Sequence, residues 1–228
     1  MGSNYRLTFH VDIVFCIDAT ESMDPVLDSV KNNALNFYRD FQQVMEQKHK
    51  RVDQLRVRVV VFRDYLADGR QAMLVTNFFT LPDQSSELET CLRSIEAKGG
   101  GDDPEDGLEA LAYAIKSDWN HDSRKKRHVI VLWSDEGTHE LGFGKESKFY
   151  PKGMAQNFEE LTEWWGSKYA PGVMDEDAKR LILFAPDKDY WTTIVSNWNN
   201  TIHYKSEAGS GLEDIDYRQI LDAISNSI

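Results

Sequence analysis

The chain has 228 residues, 41% hydrophobic and 28% charged, enough for one α/β domain with a full core and too few to require two. Its 38 acidic and 26 basic side chains give a formal net charge of -12, which argues against a nucleic-acid partner bound by phosphate neutralisation. No apolar run approaches the ~18 residues of a membrane span, and two cysteines, Cys16 and Cys91, imply no disulfide framework.

The first ten residues, MGSNYRLTFH, lack a basic stretch leading into an apolar one, so the expected location is cytoplasmic. VDIVFCID, residues 11–18, is a continuous β-branched run, as in a strand covered on both faces. Residues 23–47 then place Val26, Val30, Leu35, Phe37, Phe41 and Val44 near helical spacing, with Pro25 suited to a first turn. LRVRVVVFRDY (55–65) and AMLVTNFF (72–79), joined by the turn-rich LADGRQ, predict an antiparallel hairpin. Two helices follow, at 85–98 and at 104–117 with Pro104 opening the second, separated by a glycine run. Cys16 in the first strand and Cys91 in the first of these helices read as small buried hydrophobes.

HVIVLWSD (128–135) is a second wholly apolar strand ending in aspartate, preceded by RKKRH, which reads as a solvated connector. A helix at 157–169, a strand at 180–185, a helix at 189–198, a strand at 201–205 and a helix at 214–227 complete the chain. Of Trp164 and Trp165, one is expected to pack inward and the other to stay partly exposed. Alternating β and α elements predict a single doubly wound, mostly parallel sheet with one antiparallel edge strand and helices on both faces. Residues 1–228 form one domain on this reading, with its core at about 11–227.

In such sheets, sites form beyond the carboxyl ends of the strands. Three stretches should meet there. DATES supplies Asp18, Thr20 and Ser22; KGGGDDPEDG delivers Asp102 and Asp103 after Gly99, Gly100 and Gly101; and VLWSDEG places Asp135 at a strand exit. Hard divalent cations favour such oxygen donors, and clustered carboxylates without a counter-cation repel one another. The competing reading makes Thr20 or Ser22 a helix cap, the glycines a plain turn and Asp135 an isolated strand-end residue. GFGKES around Lys145 is no phosphate loop, since Glu146 follows the lysine and no strand leads in. His128 and His139 lack metal-ligand spacing, and His139 is expected to be exposed. The long segment Glu136 to Gly153 is a candidate for carrying specificity.

The D-x-T-x-S of Asp18, Thr20 and Ser22 resembles the D-x-S-x-S signature of von Willebrand factor type A (VWA) domains, where it forms a metal-ion-dependent adhesion site. GGGDDPEDGLEAL is similar to that family's second loop, and VLWSDEG to its third. The resemblance implies Thr20 and Ser22 as direct ligands of a divalent cation, with Asp18 and Asp135 ligating or holding metal-bound water. It aligns Asp102 with a threonine of the family, and Asp103 is an alternative donor. The implied ion is Mg²⁺ foremost, with Mn²⁺ or Ca²⁺ as alternatives. The implied function is an adaptor module, not an enzyme, binding a Glu or Asp side chain of a partner protein, with no membrane or nucleic-acid partner. The alternative is a Mg²⁺-dependent aspartyl-phosphate hydrolase of the haloacid dehalogenase type using Asp18, although its signature wants D-x-D where Asp18-Ala19-Thr20 stands.

Overall fold

The apolar run at the start of the chain becomes the central strand β1, Thr8–Asp18, and its side chains alternate between two cores. Ile13, Phe15 and Ile17 pack beneath α1, Asp24–Gln47, while Val14 and Cys16 face α3, Gly107–Ile115. The computed structural model describes residues 8–101, 104–123, 125–206 and 217–227. In α1 the buried stripe is Val26, Val30, Ala34, Phe37, Phe41 and Met45, and the expected Leu35 and Val44 are half-buried beside it.

Strand β2, Arg51–Phe62, pairs parallel with β1 on one side, and β5, Lys126–Trp133, on the other. Two further parallel strands extend from β5, namely β6, Lys179–Pro186, and β7, Thr201–Ser206. The sheet is therefore the expected mostly parallel one, and it winds in opposite directions from β1. That reversal opens a crevice beyond the carboxyl ends of β1 and β5. Helices α1, α2 (Ser85–Arg93) and α6 (Tyr217–Ser227) cover one face; α3, α4 (Phe158–Trp165) and α5 (Trp191–Asn197) cover the other. Trp165, the last residue of α4, is wholly buried and Trp164 only half-buried, the expected division.

Three local expectations are corrected. The antiparallel edge is two short pieces, β3 (Met73–Val75) and β4 (Phe79–Leu81), both paired with β2. Between them the Thr76 hydroxyl accepts the Val59 N–H at 3.0 Å, a side chain standing in for a ladder carbonyl. The helix expected from Pro104 begins at Gly107, because Glu105 is held as a bridge residue against Thr138. Cys91 is half-buried, unlike the enclosed Cys16.

At the opposite end of the sheet lies a feature without a sequence signature. Asp12, 1% exposed, accepts from Arg56 Nε at 2.8 Å and Nη2 at 2.6 Å, and from the Asn120 N–H at 2.7 Å. This pair is far along β1 from Asp18, so it should matter for stability alone. Asp12→Ala, which strands the guanidinium, is expected to cost about 3 kcal/mol in urea unfolding. Any shift in melting temperature caused by divalent cations should be the same in that variant as in the wild type.

Candidate metal centre

β1 ends at Asp18, and the chain turns immediately. Asp18 Oδ1 accepts both the Thr20 N–H (3.1 Å) and the Thr20 hydroxyl (2.7 Å), a local side-chain turn. Its Oδ2 accepts the hydroxyl of Ser134, just past β5, at 2.8 Å. Thr20 Oγ1 lies 3.2 Å from Ser22 Oγ, which in turn donates to Asp135 Oδ1 at 3.1 Å. One unbroken string of side-chain oxygens thus runs from the exit of β1 to the exit of β5. Asp18, Thr20 and Asp135 are buried, while Ser22 is exposed at its mouth. Neither hydroxyl caps a helix: the turn Glu21–Met23 and α1 both start without a side-chain cap bond. The helix-cap explanation of these residues is therefore set aside.

The glycine run closes over this turn. Lys98 N–H donates to Ala19 O at 3.0 Å and Glu21 N–H to Gly99 O at 3.2 Å. Gly99 and Gly100 have φ of 75° and 80°, the left-handed region that glycine enters without a Cβ penalty. A Cβ on Gly100 would stand 2.7 Å from Glu105 Oε1 and 3.3 Å from Thr20 Cβ. Asp102 and its alternative Asp103 lie outside the described residues. Of the described residues of this stretch, the structure brings Glu105 close to the turn, a residue that sequence reasoning passed over as part of a helix. Ser134 was also passed over, although it stands beside Asp135 in VLWSDEG.

Charge at the site is strongly one-sided. Burial, foremost, pushes the Asp18 carboxyl up to about 6; the Thr20 hydrogen bonds oppose this and the neighbouring Asp135 adds to it. Glu105, 3% exposed, is pushed up to about 10 by burial and then by Asp18 and Asp64. The guanidinium of Arg63 is close but donates to three carbonyls, those of Ala19, Gln71 and Glu96. To one side, His139 Nδ1 lies 3.3 Å from Asp106 Oδ1 and 3.9 Å from Asp64 Oδ2. The histidine is buried, contrary to expectation, because the Phe143 ring stacks on it at 3.9 Å.

Among the described residues no three Asp, Glu, His or Cys side chains form a ready-made metal cage. The donor set is instead two hydroxyls with carboxylates approaching them singly, all of it oxygen. That chemistry fits a hard cation, and the buried Glu105 Oε2, which has no hydrogen-bond partner among the described residues, fits it too.

A family model, the von Willebrand factor type A domain, matches residues 13–138, over half of the chain. The chain belongs to that family. This type A domain is 24% identical over 144 residues to the alpha-protein kinase vwkA of Dictyostelium discoideum, covering 63% of the chain and 21% of the kinase. It is similar in fold to crystal structures of the pilus adhesin SpaC from Lactobacillus rhamnosus GG. One has a TM-score of 0.54 at 12% identity, and the other, an open conformation, 0.52 at 13%. Each likeness covers 98% of the domain but only 31% and 30% of the adhesin chain. No described helix is long and apolar enough to cross a membrane.

The raised Asp18 value fixes the sign of a pH effect in the metal-free type A domain. Below the ordinary carboxylate range the group is protonated both folded and unfolded and carries no penalty. The penalty grows as pH rises from 3.8 to about 6 and is constant above. In chelator near neutral pH, Asp18→Asn is expected to stabilise the fold by up to about 3 kcal/mol, at 1.36 kcal/mol per pH unit. Urea unfolding should show that gain shrinking to nothing by about pH 4.

Proposed function

We propose that this domain is a protein-interaction module that grips a Glu or Asp side chain of a partner through a bound divalent cation, Mg²⁺ foremost. The observation that carries this reading is the oxygen string Asp18–Thr20–Ser22–Asp135, spanning the sheet's crevice and exposed to solvent at Ser22. Thr20 and Ser22 would hold the ion through their hydroxyls, Asp18 and Asp135 would orient those hydroxyls or ligate, and Asp102 is the further donor that sequence places nearby. Mn²⁺ and Ca²⁺ accept the same donors. When bound, the ion supplies a concentrated positive charge in an otherwise acidic crevice.

The segments of the kinase and the adhesin that this domain resembles sit in proteins of different kinds, as befits a binding module joined to varied machinery. An adaptor role in the cytoplasm is the simplest setting for it. The hydrolase alternative asks Asp18 to attack phosphorus, yet Asp18 is fully buried and both its oxygens accept hydrogen bonds. The net charge of -12 repels an acidic partner at long range, but only over a Debye length of about 8 Å at physiological salt.

Mg²⁺ at a hundredfold excess over Kd should stabilise the domain by about 2.7 kcal/mol, read as a rise in melting temperature reversed by chelator. Thr20→Ala and Ser22→Ala should abolish that rise. Partner capture should need the cation, both hydroxyls and one acidic partner residue, with no Asp18-dependent phosphate release. Capture indifferent to chelator and to both hydroxyl variants would refute the metal bridge.

A further inference from the structure

The end of β2, the strand β3 and the segment that follows α2 enclose a cavity of 380 Å³, within the roughly 300–1,000 Å³ of small-molecule sites. No member of the oxygen string lines it. Its apolar wall is Val61, Met73, Leu74 and Ile95, of which Leu74 is left 46% exposed, and its polar wall carries Arg63 and Arg70. We propose that this cavity binds a small organic acid, with the carboxylate on Arg63 and Arg70 and the apolar body against the four aliphatic side chains, and that Arg63 transmits its presence to the turn after Asp18.

Arg63 is the reason to expect an anion. It is only 7% exposed, yet it forms no ion pair among the described residues. Asp68, Asp18, Glu96 and Glu105 attract it from further off, and burial, foremost, holds its pKa below the ordinary arginine value. Its Nε, Nη1 and Nη2 donate to the carbonyls of Ala19, Gln71 and Glu96 at 2.8, 2.9 and 2.7 Å. A guanidinium has five N–H groups, so one is left over on each terminal nitrogen. A carboxylate accepts from two such nitrogens at once. Arg70, exposed on the same cavity, also forms no ion pair among the described residues. Lys98 differs, because its Nζ lies 3.1 Å from Glu96 Oε2 and the two charges offset each other. A neutral apolar ligand would have no use for the two arginines, and inorganic phosphate none for the aliphatic wall.

The same side chain reaches the turn. Arg63 Nε holds Ala19 O, the carbonyl of the peptide leading into Thr20, and the Lys98 N–H donates to that oxygen at 3.0 Å. A ligand that draws on the guanidinium therefore acts on the backbone between Asp18 and Thr20.

The test adds hexanoate to the purified chain in chelator, so that no cation contributes. It follows the methyl resonances of Met73, Leu74 and Ile95 together with the amides of Ala19 and Thr20. Saturable shifts of both sets are expected, half-complete at about 1 mM, the affinity of a fragment-sized ligand. Hexan-1-ol and hexylammonium should bind about tenfold more weakly or worse. Arg70→Glu and Leu74→Asp, both at exposed positions, should each weaken hexanoate by about tenfold or more. Arg63→Gln should remove both sets of shifts, and the two exposed variants decide the matter if it fails to fold. The site is overturned by shifts that do not saturate, by equal affinity for hexan-1-ol, by affinity unchanged in either exposed variant, or by binding retained in a folded Arg63→Gln. Shifted methyls with unmoved Ala19 and Thr20 amides overturn the transmission through Arg63.

Discussion

Carboxyl groups held out of water at the end of the central strand are the constraint around which the carboxyl edge of this sheet is organised. Asp18 and Glu105 are both buried, and neither forms an ion pair among the described residues. Leaving such groups in a low-dielectric interior is expensive unless something answers them. The fold answers Asp18 in part, with two hydroxyls and a backbone N–H. Those bonds set the Thr20 rotamer, aim Ser22 at Asp135 and draw the third loop against the first. The left-handed glycines then let the second loop pass over the turn, where any Cβ would collide with Asp68 or Glu105. Local backbone, loop closure and site electrostatics are thus one arrangement.

The two ends of β1 make the contrast plain. At the amino end, Asp12 is as buried as Asp18, yet its carboxylate receives both arms of Arg56 and the Asn120 N–H. Deeper in the second core, Glu109 Oε1 accepts the Tyr150 hydroxyl and the Gly142 N–H, each at 2.8 Å. At the carboxyl end the nearest guanidinium, Arg63, faces carbonyls instead. A carboxylate answered by the protein's own cation stabilises; one left for an external cation can bind.

What the sequence made legible follows from how local each signal is. β1 and β5 announce themselves as apolar β-branched runs, and the spacing of Asp18, Thr20 and Ser22 survives folding because all three lie in one turn. The doubly wound order follows from alternating elements. What was missed depends on distant partners. Glu105 reads as helical from its neighbours, and only its bridge to Thr138, far along the chain, holds it out of α3. His139 reads as a polar loop residue until Phe143 folds over it. The split edge strand turns on one threonine hydroxyl replacing a carbonyl. The ion pair of Asp12 and Arg56 joins adjacent strands whose pairing no periodicity reveals.

Direction of approach follows from the same string of oxygens. Its end at Asp18 is closed off by Thr20 and Ser134, its end at Asp135 is buried, and Ser22 between them is open to solvent. Within the string itself Ser22 is the exposed member, so a group approaching from solvent meets it first. Next to Asp135 in the third loop, Glu136 is paired through its carboxylate with Lys188. That pairing compensates one acidic charge of the third loop. Arg63, held by its bond to Ala19 O, adds positive potential close to Asp18. An acidic protein can in this way present a crevice receptive to another acid, provided its cations are placed behind the site and its surplus carboxylates are occupied beside it.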